Sequence, residues 1–449
     1  MATDADVVVV GAGASGAAAA AFLAEAGLRV ICLERRKLVE AGARWVNGVP
    51  RASFARAGIA ISEGAEHQGG ADPFHVVVAQ SARGEESAGR PTSLTIVDHD
   101  VIDVDMRLLV ERLQERARRA GVRFHEGITA QGWRGGVSKA HHADDLVLET
   151  SGGPFAARWF IDASGLPGAR LLGQPAVSRV DLCAAAQEVH EVVDAAAAQR
   201  FLDEVGAKPG EAIGFIGVAG GYSVLNVHVA RDLRTVGVLT GSLPALGYPS
   251  GKNILDRFVA EHAWVGAYRF GGSAAIPLRR PYDRLASERV ALLGDAGCQV
   301  FPAHGSGVGS GLVAARLLAD TIIAGRPLRD YEVSWQREHG ALMASFDVMR
   351  RWSQSLDGAG VGRMVAFGLA EPAMMKAALN QQMPRVSLGW LLRMAPGMVR
   401  AMREDPELGR TMAAAGARSR LVHALYARYP RKVKHVASWS RAVDRLIGA

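Results

Sequence analysis

Three observations predict an α/β fold in which an antiparallel sheet is inserted into a parallel one and helices close the chain. Four consecutive valines, Val7 to Val10, run into glycines at 11, 13 and 16. A second apolar strand, Val290 to Leu293, ends in Gly294-Asp295 and a glycine-rich turn. Beyond about residue 330 strand-like alternation gives way to helical patterning rich in Met, Trp, Leu and Arg.

Continuous β-branched residues mark a strand buried on both faces, as in a parallel sheet. Gly11 then permits a tight turn, Gly13 a close approach of backbone to a pyrophosphate, and Gly16 the packing of the following helix on the strand. Ala12, Ala14 and Ser15 fill the turn, whose N–H groups meet the diphosphate at the helix N-terminus. Glu34 ends the next strand, where its carboxylate can accept ribose hydroxyls, and Arg35 follows it. The unit is a Rossmann-like dinucleotide-binding motif. A membrane helix is excluded by three glycines in the apolar run. The motif starts almost at Met1, so no signal peptide is expected. Cys32, Cys183 and Cys298 are too few and too scattered for a disulfide framework or metal pair, and a cytoplasmic location is expected.

The downstream motif narrows the cofactor. An Asp after a buried strand, about 260 residues beyond Glu34, suits a ribityl chain, and the N-terminus of the next helix can stabilise negative charge on a reduced isoalloxazine. The implied cofactor is FAD, because a nicotinamide dehydrogenase needs no such second site. No second dinucleotide fingerprint is present, so NAD(P)H is expected only as a transient electron donor, with a separate electron-donor protein as the alternative.

Between the motifs, helical spacing of Leu108, Leu109, Leu113 and Ala117 predicts a helix over 105–120, closed by Gly121. Residues 81–93 read as a loop or hairpin tip, and 155–161 as a strand leading into Asp162-Ala-Ser-Gly165. Alternating segments around 221–229 and 235–242 predict an antiparallel sheet over 171–285 that roofs the cofactor. The expected organisation is a discontinuous FAD domain (1–170 and 286–330), a substrate domain (171–285) and a helical region (331–449). His141-His142 with Asp144-Asp145 reads as a solvated turn, and no metal is expected.

The chain of 449 residues is 49% apolar and carries a net charge of +7. Eight basic residues after Ala417, against Asp444 alone, account for all of it, leaving a neutral body. This argues against a nucleic-acid groove and for a basic tail that contacts an anionic membrane surface. The Met- and Trp-containing stretch 383–403 is too broken by Pro and Gly to span a bilayer. It suits a helical cap for a hydrophobic small molecule, a surface-lying anchor or simple packing.

The two cofactor motifs, with the run from Ala275 to Leu285 leading into the second, resemble the FAD oxidoreductase superfamily of geranylgeranyl reductases and p-hydroxybenzoate-hydroxylase-type monooxygenases, over roughly residues 1–330. The resemblance implies a glutathione-reductase-type FAD domain. It assigns Arg44 to the diphosphate and Asp295, Pro302, Gly305 and Gly307 to the second motif, with Val308 opening its helix. The Asp162-Ala-Ser-Gly form resembles the reductase branch, whereas Cys298 and Gly309 replace the hydroxylases' His and Asn. Tyr222, after Gly220-Gly221, resembles the Gly-Gly-Tyr opening of the reductases' roof strand. His304 sits in the turn expected to face the flavin, and His304 and Tyr222 are the candidate catalytic residues. The implied activity is reduction or dehydrogenation of an apolar, isoprenoid-like molecule by hydride exchange at flavin N5. The alternatives are a monooxygenase acting through a flavin C4a-hydroperoxide, a halogenase, disfavoured by the missing Trp-x-Trp motif, and a non-enzymatic electron carrier.

Overall fold

The computed structural model describes residues 4–70, 72–78, 93–136, 146–356 and 358–448. Most of the expected 81–93 loop and the His141-His142 run lie outside the described residues.

The valine strand Ala5–Val10 lies at the centre of a parallel sheet, flanked by Val30–Glu34 on one side and Phe155–Asp162 on the other. Arg123–Glu126 extends the sheet beyond Val30–Glu34. The strand Phe155–Asp162 divides its pairing: its first residues meet Val147–Thr150 antiparallel, and Phe160 to Asp162 meet Val290–Leu292 in parallel. This brings the second cofactor motif beside the first, although about 280 residues separate them in the chain. The helix Ala14–Glu25 is buried from Gly16 to Ala24, because its alanine run lets Met106–Arg119 and Val308–Ile323 pack on it closely. Met106–Arg119 matches the helix expected over 105–120; the Asp105 side chain caps it by accepting from Arg107 N at 2.9 Å, and Gly121 follows with φ +93°.

The roof is a seven-stranded sheet, and it differs from the expected 171–285 unit. Its order runs Val265–Pro277, Leu182–Val192, Thr235–Ser242, Val224–Val229, Ala212–Ile216, Phe74–Val78, Ser93–Ile96. Two of its strands therefore come from the N-terminal segment, and Phe74–Val78 joins Ala212–Ile216 in parallel. Period-2 alternation identifies a strand but not a partner more than a hundred residues away. Helices Ala195–Val205 and Gly251–Glu261 cover one face of the roof through Ala198, Leu202, Leu255 and Phe258, leaving the other face toward the cofactor domain.

The C-terminal helices pack onto this body. Val422, Tyr426, Tyr429, Trp439 and Val443 form a core with Val333, Ala344 and Val348. Asp444, the tail's one acid, accepts from the buried Arg280 at 2.7 Å, and the Tyr429 hydroxyl donates to the fully buried Glu332 at 2.6 Å. The basic tail is therefore also a packing element: its charges are exposed, but its apolar side chains belong to a shared core. Charge counting sees the first property and not the second. Truncation before Ala417 takes Asp444 and Tyr426 from Arg280 and Tyr429 from Glu332 and uncovers this core, and is expected to leave no soluble folded protein when expression is compared with the full chain.

Candidate functional site

One cavity of about 810 Å3 lies between the parallel sheet and the roof. From the first motif it is lined by Gly11, Gly13, Ala14, Ser15, Glu34, Arg35 and Arg44, and from the second by Gly294, Asp295, His304, Gly305, Gly307 and Val308. Tyr222 faces it from the roof. Three of the sequence-identified residues stand back from the wall. Ala12 is buried and donates its N–H to a Glu34 carboxylate oxygen at 2.9 Å. Gly16 faces the strand: a Cβ there would lie 2.0 Å from Gly11 O. Pro302 is buried in the turn before His304.

The site fits a dinucleotide by several independent features. The helices Ala14–Glu25 and Val308–Ile323 both begin at the cavity with glycine N-caps, and neither has a side-chain cap. Their first N–H groups are therefore left for an anionic or carbonyl partner. Glu34 uses its oxygens on Ala12 N and Arg36 N, and each carboxylate oxygen keeps capacity for a ribose hydroxyl. Asp295 is enclosed by protein, and its carboxylate has no hydrogen-bond partner among the described residues. Burial pushes it up to about 6. Such a group calls for hydroxyl donors, as a ribityl chain provides. A Cβ at Gly307 would sit 3.1 Å from Asp295 Oδ1, so glycine keeps that carboxylate accessible.

The raised Asp295 value sets a pH dependence. Without a donor the folded protein holds the carboxyl proton more tightly than the unfolded chain, so its contribution favours folding below about 4 and is lost as pH rises through about 6. Hydroxyl donors from FAD favour the ionised form, so FAD affinity is expected to fall as pH drops below about 6. The expected slope is up to about tenfold per unit, as each pKa unit is about 1.4 kcal/mol. Asp295→Asn should flatten that dependence and Asp295→Ala should loosen FAD about tenfold or more, both measured by flavin fluorescence titration.

His304 lines the cavity, with much of its surface exposed there. Its ring lies 4.9 Å from that of Phe301, and Nε2 donates to Ala378 O at 3.3 Å. Burial pushes the imidazolium down to about 4, so the ring is neutral at physiological pH. The folded state resists protonation here, so this group's contribution to stability is present above about 6.5 and lost as pH falls through about 4. This lowered value favours the neutral, hydrogen-bonding ring at His304 over the protonated acid.

Tyr222 sits at the tight turn where Gly220 and Gly221 have φ of +88° and +51° and a Cβ on Gly221 would meet Tyr248 Oη at 2.4 Å. Burial raises its phenol well above the ordinary range, and its hydroxyl has no hydrogen-bond partner among the described residues. Several further wall residues are not among those the sequence assigned to the site. Cys183, whose thiol burial pushes up to about 12, comes from the roof strand Leu182–Val192. So does Gln187, which accepts from Val46 N at 2.6 Å and ties the roof to the cofactor domain. Arg170 comes from the turn that Asp162 organises by accepting from Leu171 N at 3.0 Å. An alternating strand shows which residues share a face, but not which face meets a cavity. Among the described residues there is no cluster that could hold a metal ion, and no helix is long and apolar enough to cross a membrane.

Residues 6–52 match the family model of FAD-dependent oxidoreductases. The digeranylgeranylglycerophospholipid reductase of Sulfolobus acidocaldarius is 27% identical over 49% of this chain and 50% of its own length, so the chain spans half of that relative. The protein of the same name from Methanothrix thermoacetophila is 25% identical over 76% of this chain and 85% of its own. A geranylgeranyl bacteriochlorophyll reductase-like structure from Thermoplasma acidophilum superposes with a TM-score of 0.65 at 17% identity, covering 92% of this chain and 99% of that one. These similarities and the cavity agree on the cofactor, which is FAD.

Proposed function

We propose that this FAD-dependent oxidoreductase reduces carbon–carbon double bonds of an isoprenoid-like, hydrophobic molecule lying under the roof sheet. The observation that carries the reading is the division of the cavity wall. Its charged residues, Glu34, Arg35, Arg36, Arg44, Arg170 and Asp295, all come from the cofactor domain. The roof contributes none among the described residues: it presents Cys183, Ala185, Val224, Leu239, Ala274 and Ile276, with Gln187, Tyr222, Thr240 and Ser273 as its uncharged polar groups. A roof that is uncharged and largely apolar favours a hydrocarbon and leaves a charged substrate without an ionic partner there.

FAD bound here and reduced by an electron donor would supply a hydride. Reduction of an alkene also needs one proton at the neighbouring carbon, and the Tyr222 hydroxyl is suited to deliver it. Its raised pKa keeps it protonated throughout the working range, and no protein acceptor competes for its hydrogen. His304 lines the same cavity, and its lowered pKa favours the neutral ring. The turnover rate is therefore expected to show no inflection between pH 5.5 and 8, the range in which an ordinary histidine would titrate; a measured inflection there that His304→Gln removes would reinstate the histidine as the acid. No permanent nicotinamide domain is needed in this reading, and reducing equivalents arrive from a visiting NAD(P)H or donor protein.

The reading is supported by the resemblance to reductases of geranylgeranyl chains, and product mass tests it. Reduced enzyme incubated with a geranylgeranyl-bearing lipid should yield product heavier by two mass units per double bond reduced. Product heavier by sixteen would identify oxygenation instead.

A further inference from the structure

We propose that the helix Leu388–Glu404 is a lipid-docking surface that lies in the headgroup region of an anionic membrane. The helix is divided into three faces. Trp390, Met394, Met398 and Ala401 point into a small core with Phe367, Leu369 and Leu408, which is what holds the helix to the protein. Leu388, Leu391, Leu392, Ala395, Val399 and Met402 fall within an arc of about 100° on another face, at 3.6 residues per turn. They are uncovered: the large ones among them are 46% to 73% exposed. Arg393, Arg400 and Arg403 occupy the arc next to this stripe, and Glu404 is the one acid in the helix.

This second apolar face adjoins the packed one at Met398 and Leu391 but stays outside the core, and its exposure is not required by the fold. The arginines decide what covers it. An apolar stripe bordered by cations matches acyl chains below and phosphates alongside, the arrangement of helices that lie in a membrane interface. Arg393 Nη2 is 3.8 Å from Glu371 and Arg400 Nε is 3.0 Å from Glu404, yet both side chains stay open to solvent, at 65% and 53% exposure. The C-terminal tail carries more positive charge but has committed Val422, Tyr426, Trp439 and Val443 to its core. The apolar insertion surface is therefore the Leu388–Glu404 helix rather than the tail.

The helix is also one element away from the cavity. Trp390 Nε1 donates to Glu371 at 3.0 Å, at the start of the helix Pro372–Leu379, and that helix carries the Ala378 carbonyl that meets His304. The inference does not depend on the chemistry of the substrate.

Vesicle flotation with the full-length, FAD-loaded protein tests it, using phosphatidylcholine alone and with 30% phosphatidylglycerol at low and high salt. The wild type is expected to float with the anionic vesicles at least tenfold better than with the neutral ones, and less so at high salt. Leu391→Glu/Leu392→Glu should lose at least tenfold in binding with flavin content unchanged, and Arg393→Gln/Arg403→Gln should lose most of the preference for anionic lipid. Equal flotation of wild type and the leucine variant overturns the proposal, as does equal binding to both vesicle types. So does a dimer of the wild type that the leucine variant dissociates without any vesicle binding, since the stripe would then be covered by a second copy of the chain.

Discussion

Gly16→Ala is expected to yield protein that purifies without FAD and is destabilised by on the order of 3 kcal/mol. The added Cβ would lie 2.0 Å from Gly11 O and 3.1 Å from Ala163 Cβ. Gly11 cannot retreat: it holds φ +104°, and the space a side chain would need there is filled by Ala163 O at 2.3 Å. The helix must therefore move off the strand, which displaces the N–H groups at its start that face the diphosphate. Absorbance near 450 nm relative to protein, with thermal unfolding, reads both effects. Gly27→Ala is the matched control. Gly27 has φ +88° but nothing within 4 Å of its Cβ position, so it should cost only about 1–2 kcal/mol and keep its flavin.

Tyr222→Phe is expected to slow substrate turnover about 100-fold, within the range found for removal of a general acid. The ring and its packing remain, so flavin content and the rate of flavin reduction by the electron donor should match the wild type. A variant equally slow in flavin reduction would show that the substitution disturbed the cofactor and not proton delivery.

The cofactor half of the molecule was legible because its determinants are local. A strand buried on both faces, a glycine turn and an acid at the next strand end are all written within Val7 to Glu34, and a full amphipathic period with an N-cap wrote the helix Met106–Arg119. The roof was only half legible. Phe74–Val78 and Ser93–Ile96 look like any short strands, and their place depends on pairing with a segment read over a hundred residues later. The tail misled for another reason: its apolar residues at 422, 426, 429, 436, 439 and 443 do recur at helical spacing, and that signal of packing was outweighed by the charge count. The protonation state of His304 was not readable at all, because the helix that encloses it begins about 70 residues downstream.

The central claim is that reduced flavin in this site passes its hydride to an apolar alkene. The most direct measurement is anaerobic stopped-flow: enzyme reduced by one equivalent of dithionite is mixed with a geranylgeranyl-bearing lipid in detergent, and flavin absorbance is followed. The account predicts that the oxidised spectrum returns without oxygen, at a rate that depends on the alkene and falls about 100-fold in Tyr222→Phe. A flavin that stays reduced until oxygen is admitted, and then yields oxygenated lipid, would contradict it.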